Sequence, residues 1–125
     1  MSDATEISEI DVSDPDCLFC RIVSGQIPAD VVAEGEQVLA FRDIDPVAPT
    51  HVLVIPREHH RTIGELARSA PEALVALVRM AEDIAERECD GQFRLVANTG
   101  AAAQQSVLHA HGHVLGGRAL GWPPG

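Results

Sequence analysis

The chain has no lysine and no tyrosine, and only one tryptophan, three phenylalanines and three cysteines among its 125 residues. Without lysine there is neither a Schiff-base amine nor the lysine of a P-loop, so composition excludes both chemistries. Nine arginines stand against nineteen acids, for a net charge of -10. That balance disfavours nonspecific binding to DNA or RNA, which depends on cations neutralising backbone phosphates. A nucleotide partner must therefore be small. No apolar run approaches the roughly 20 residues of a membrane span, and no basic segment followed by an apolar stretch opens the chain. A cytoplasmic protein with no membrane partner is expected. In such a reducing compartment, few cysteines point to metal or redox chemistry more than to a structural disulfide. Scarce aromatics leave the core to Val, Leu, Ile and Ala, and the length suits one domain.

Residues 1 to 15 are acidic and weakly periodic, which reads as a disordered tail, and residues 16–125 as the folded domain. Asp16 is a candidate N-cap for a short helix over Cys17–Ser24, stopped by Gly25. Val31–Glu34, Val38–Arg42 and His51–Ile55 read as strands separated by turn residues. Thr62-Ile63-Gly64-Glu65 has capping-box spacing for a brief helix. Ser69-Ala70-Pro71-Glu72 repeats that spacing before a long amphipathic run that Asp90-Gly91 closes. Phe93–Ala97 and Leu108–Leu115 read as two further strands. The expected class is α+β: an antiparallel five-stranded meander with one long covering helix and short helices.

Side chains alternate across a strand, so within Leu108–Leu115 the residues His109, His111 and His113 share one face. Three readings are open: a polar strand face, a Zn²⁺ site, or a nucleophile with its acid and orienting partners. Gln105-Ser106 brings an amide and a hydroxyl to the start of the strand, and the Gly100–Ala103 loop can offer backbone N–H groups to an anion. These are components of a phosphate site.

Gln105-Ser106-Val107-Leu108-His109-Ala110-His111-Gly112-His113-Val114-Leu115 resembles the His-x-His-x-His-x-x signature of the histidine-triad family. Cys17-Leu18-Phe19-Cys20-Arg21-Ile22, Ile27-Pro28-Ala29, Leu39 to Ile44, Ala48-Pro49-Thr50-His51, Val54-Ile55-Pro56 and Gly116-Gly117-Arg118 extend the likeness over residues 15 to 125. The ending Gly121-Trp122-Pro123-Pro124-Gly125 is similar to that of the Hint branch, the nucleoside phosphoramidases. The resemblance implies the histidine-triad fold, with His111 as a nucleophile that attacks the α-phosphorus of a purine nucleoside 5'-phosphoramidate. It further implies that His113 binds phosphate oxygens, Ser106 helps protonate the leaving amine and His51 orients the cluster. Ile27, Phe41, Asp43 and Ile44 would line the nucleoside pocket, with Asn98 and Gln105 near the phosphate. From the residues alone, Ile27, Phe41 and Ile44 can equally be core, and Asp43 a turn cap. Gln104 stands where relatives usually carry glycine, which penalises a positive φ and is expected to reshape or narrow the phosphate loop.

Cys17, Cys20 and His59 are candidate ligands for a structural zinc, with His109 as the fourth in preference to a site built on His60. Two buried thiols are the alternative. No catalytic metal or organic cofactor is expected. Trp122, the lone tryptophan, sits in a tail that can form neither helix nor central strand. The resemblance implies a homodimer in which this tail reaches the partner's substrate site. Alternative functions are a weakly catalytic nucleotide-binding regulatory module, a dinucleoside polyphosphate hydrolase, and a zinc hydrolase using all three strand histidines.

Overall fold

The computed structural model describes residues 14–125, so most of the expected acidic tail lies outside the described residues. Asp14 and Pro15, assigned by sequence to that tail, are tied to the domain. The Asp14 carbonyl accepts from Cys17 N–H at 3.0 Å, and the Pro15 carbonyl accepts from the Arg21 side chain at 2.8 Å.

The elements run α1 (Leu18–Val23), β1 (Val31–Glu34), β2 (Val38–Arg42), β3 (Thr50–Pro56), α2 (Ile63–Ser69), α3 (Pro71–Cys89), β4 (Phe93–Val96) and β5 (Gly112–Gly116), with a 3-10 turn at Ala101–Ala103. All strand pairings are antiparallel. The first three strands follow in order, but the last does not add at the edge: the sheet reads β1-β2-β3-β5-β4. The five-stranded sheet and long helix agree with expectation, and the inserted β5 places the histidine segment beside β3 in the interior.

Both sheet faces are covered, so β3 is buried at every position and reads as a continuous apolar run. Val52, Val54 and Val114 face α3 and pack with Leu77, Ala81 and Ile84. Each fully buried Leu or Ile of that layer contributes about 1.5–3 kcal/mol. Leu53 and Ile55 face the other way, with Leu39, Phe41 and Phe19 of α1. Alternation along β3 thus sends His51 to the second face.

The helix caps differ in part from expectation. The α1 N-cap is Cys17, whose Sγ accepts from Cys20 N–H at 3.3 Å, not Asp16. Thr62 does cap α2 through Glu65 N–H at 3.1 Å. Ser69, however, is the last residue of α2, and α3 starts after Ala70 with Pro71 in its first turn and no side-chain cap. Proline's preset φ takes over where a hydroxyl was expected. The strand expected from Leu108 begins only at Gly112, opposite Val54. Beyond that point β3 ends in Pro56, which has no N–H to continue a ladder; its carbonyl takes the His109 ring and Ala110 N–H bonds the His60 carbonyl.

Candidate active site and metal centre

His109 therefore lies in a bend and His111 in the irregular segment leading into β5, and only His113 is a strand residue. The three rings still form a row: His109 and His111 both stand edge-on to Phe19, with centroids 5.8 and 5.1 Å away, and His111 and His113 are 5.0 Å apart. Their hydrogen bonds give them different roles.

His111 Nδ1–H donates to the His109 carbonyl at 2.6 Å. The proton is thereby held on Nδ1, leaving the Nε2 lone pair free. His51 Nδ1 accepts from Val47 N–H at 3.1 Å, so neutral His51 carries its proton on Nε2. That N–H donates to His113 Nδ1 at 2.9 Å, with Asp43 Oδ2 at 3.4 Å. His113 then bears its own proton on Nε2. One histidine offers a lone pair and its neighbour offers a donor. Burial holds both imidazoles below the ordinary range, His113 down at about 4, so both are neutral at physiological pH.

His111 and His113 line a cavity of about 790 Å³. Ser106, Asp43, Ile27, Phe41 and Ile44 line it too, although Ile44 is fully exposed and stands at the rim. Asp43 answers both sequence readings: Oδ1 caps a turn by accepting Asp45 N–H at 2.8 Å, and the residue also borders the cavity. Sequence reasoning missed the opposite wall, formed by Leu18, Phe19 and Ile22 of α1 with Leu53 and Val107. The spacing of Leu18 and Ile22, one helical turn apart beside the cysteines, was the available signal. Arg42 also borders the cavity, but its guanidinium is held by both Glu88 carboxylate oxygens at 3.0 and 2.7 Å.

Four expected residues do not line the cavity. His51 lies behind His113 and is hydrogen-bonded to it. Asn98 is not among the lining residues. Gln105 is a brace: its Oε1 accepts from Gly100 N–H, and its Nε2 donates to the Arg61 and Val107 carbonyls. Trp122 is 81% exposed, lying against Arg94, whose guanidinium is 5.8 Å from the ring and donates to the Gly121 carbonyl at 2.7 Å. The expectation that the Gly100–Ala103 loop offers N–H groups to an anion is also corrected in part. The N–H groups of Gly100 and Ala103, and those of Gln104 and Gln105 after them, are all spent on bonds inside the loop. Gln104 adopts φ 70, ψ 32, so the loop keeps a left-handed turn despite a side chain that disfavours it.

The second cluster lies directly behind. Cys17, Cys20, His59 and His109 bring their ligand atoms together. Cys17 Sγ is 3.3 Å from His109 Nδ1, Cys20 Sγ is 3.4 Å from His59 Nδ1 and 3.5 Å from His109 Nδ1, and the two Nδ1 atoms are 3.3 Å apart. Tetrahedral Zn²⁺ with ordinary bond lengths needs S···N edges of about 3.5 Å and an N···N edge of about 3.3 Å, so this donor set fits. His109 Nε2–H donates to the Pro56 carbonyl at 2.8 Å, which leaves Nδ1 unprotonated and turned toward the sulfurs. Burial pushes the Cys20 thiol up to about 11, so cation uptake there must release a proton. His60 belongs to neither cluster.

Among known proteins, the HIT domain family model matches residues 24–120. The chain is 42% identical, over 129 aligned residues and 100% of both sequences, to a 14 kDa zinc-binding protein of Zea mays. A HIT family hydrolase from Legionella pneumophila has a TM-score of 0.83 at 46% identity, covering 88% of this chain and 100% of that one. A histidine triad nucleotide-binding protein from Candida albicans has a TM-score of 0.74 at 26% identity, covering 88% and 85%. With a family model spanning most of its length, and relatives of this identity aligned over nearly all of it, the chain belongs to the HIT-domain family.

Proposed function

We propose that the protein is a nucleotide-binding hydrolase that cleaves the P–N bond of purine nucleoside 5'-phosphoramidates, such as adenosine 5'-monophosphoramidate, through a nucleotidyl intermediate on His111. The observation that carries this reading is the pairing of proton positions: a free Nε2 on His111 beside a donating N–H on His113, both bordering one cavity with apolar walls. His111 attacks the α-phosphorus; His113 donates to a phosphoryl oxygen as charge develops there. The P–N pair leaves on nitrogen, which takes up a proton with help from the Ser106 hydroxyl, and water then releases the nucleotide. Leu18, Phe19, Ile22, Ile27 and Phe41 hold the base, and Asp43 accepts from ribose hydroxyls. The hydrolase and nucleotide-binding descriptions of the Legionella and Candida proteins agree with this. Asn98 is left without a role.

Zinc fits the Cys17, Cys20, His59 and His109 set as a structural ion, and the maize relative is described as zinc-binding. His109 turned toward the cysteines argues against a zinc hydrolase using all three histidines of the row. No catalytic metal or organic cofactor enters the scheme. Free cysteines suit the cytoplasm. We also read the protein as a homodimer without nucleic-acid or membrane partners: exposed Trp122, Val75, Val78 and Leu95 supply apolar surface for a second copy, and Trp122 would border the partner's cavity. Among the described residues no helix is long and apolar enough to cross a membrane.

The test is mass spectrometry after brief incubation with adenosine 5'-phosphoramidate. A nucleotidyl adduct on His111 is expected. Turnover without any adduct, abolished by chelator, would favour metal-dependent hydrolysis, and an adduct-free protein with no turnover would favour the regulatory module. Comparing a dinucleoside polyphosphate as substrate decides between the two hydrolase readings.

A further inference from the structure

One residue joins the two clusters. His109 is 0% exposed, and both ring nitrogens and its main-chain carbonyl are committed. Nδ1 faces Cys17, Cys20 and His59 at 3.3 to 3.5 Å. Nε2–H is anchored on Pro56 at 2.8 Å. The main-chain carbonyl receives the Nδ1–H of His111 at 2.6 Å, the bond that frees Nε2 for attack. Any turn of His109 about its backbone must disturb both the ligand set and that bond.

A second link runs through α1. Cys17 and Cys20 point to the ligand cluster, while Leu18, Phe19 and Ile22 line the cavity. The helix has six residues, far below the ~12–15 an isolated helix needs, so its tertiary anchors hold it. Phe19, between the two cysteines, touches both sides: it stands edge-on to His109, His111 and Phe41.

We infer that His109 is a positioning residue through which the four-ligand centre sets the tautomer of His111 and, with α1, the shape of the nucleoside pocket, so that cation and nucleotide bind cooperatively. This rests on the nucleotide reading of the cavity. A centre that only stabilised the fold would raise thermal stability and leave the two affinities independent. Coupling requires reciprocity: each ligand must tighten the other by the same factor.

The experiment uses the full chain, zinc-loaded and chelator-stripped, with AMP as probe. AMP is expected to bind about tenfold more tightly to the loaded form, within the usual range of such couplings. Zinc affinity, measured by competition with a chelator, should rise by the same factor in saturating AMP. Imidazole ¹⁵N spectra should show one Nδ1–H tautomer for His111 in the loaded protein and a mixture in the stripped one. Should stripping unfold the chain, Co²⁺ and the larger Cd²⁺ replace zinc; AMP affinity and His111 resonances that change with the cation support the coupling. Equal AMP affinity with unmoved His111 resonances, across loaded and stripped protein or across the three cations, overturns it. Failure of every form to bind AMP would overturn the nucleotide reading, and the coupling with it.

Discussion

At the scale of single residues, the site works by where protons sit. His111 and His113 are the same residue type two positions apart, yet the His109 carbonyl holds a proton on one face of the first ring and His51 donates to the second. His111→Ala should lower turnover by at least about 10⁴-fold, as for other nucleophiles that act as part of a unit, while AMP still binds; a variant keeping most of its rate would remove His111 as nucleophile. His113→Ala should cost about 2–4 kcal/mol of transition-state stabilisation, as loss of an oxyanion donor does, read from kcat/KM. Burial lowers both imidazoles, so the acid limb of kcat/KM is expected below the ordinary imidazole range. Stability has its own pH sign. Unfolded imidazole takes up a proton near 6.5, whereas folded His113 resists to about 4. The unfolded state binds more protons in that window, and stability falls as pH drops through it. Urea midpoints at pH 7 and pH 5 check this, and His113→Asn should flatten the slope. Gln104 holds φ 70, a left-handed conformation that costs a residue with a side chain about 1 kcal/mol. Gln104→Gly should therefore stabilise the protein by about that amount in urea unfolding, and an unchanged midpoint would show that the loop carries no such strain.

At the scale of elements, α1 and β5 show how far pattern reaches. The Cys17 to Cys20 spacing is visible in the sequence, but the fact that Cys17 caps its own helix while facing His109 depends on the packing of α1 against β2 and β3. Metal analysis of purified protein should give about one zinc per chain, as a four-ligand closed site holds. Cys17→Ser or Cys20→Ser should lose it together with thermal stability. Metal-free protein melting at an unchanged temperature would reject the centre. Alternation expects the three histidines on one strand, but only His113 lies in β5; Pro56 on the neighbouring strand has no N–H to continue the ladder, a cause that no local reading of residues 108–115 contains.

At the scale of the whole molecule, β3 is buried on both faces, but the outer strands β1 and β4 each pair on one side. Leu95 on β4 and Val75 and Val78 on α3 are exposed. Trp122 lies against Arg94 of the same chain yet remains open to solvent, as an anchor residue at the proposed interface would. Sedimentation should show a stable dimer, and deleting Gly121 to Gly125 should alter substrate preference more than stability. A monomer at micromolar concentration, or a truncation with unchanged kinetics, defeats the reading.

Sequence by itself determined the element types, the apolar run of β3, the long amphipathic α3, and the histidine and cysteine residues that the fold gathers into the two clusters. Each follows from periodicity or side-chain type, which are local properties. Only tertiary structure decided the insertion of β5 between β3 and β4, the α1 wall of the cavity, the bracing role of Gln105 and the proton positions along the histidine row. These depend on which carbonyl, thiol or ring meets each group across tens of residues. His109 shows the difference most directly: the sequence offers it as the fourth ligand beside the cysteines, whereas the Pro56 carbonyl that anchors its ring and leaves Nδ1 turned toward Cys17 is supplied only by the fold.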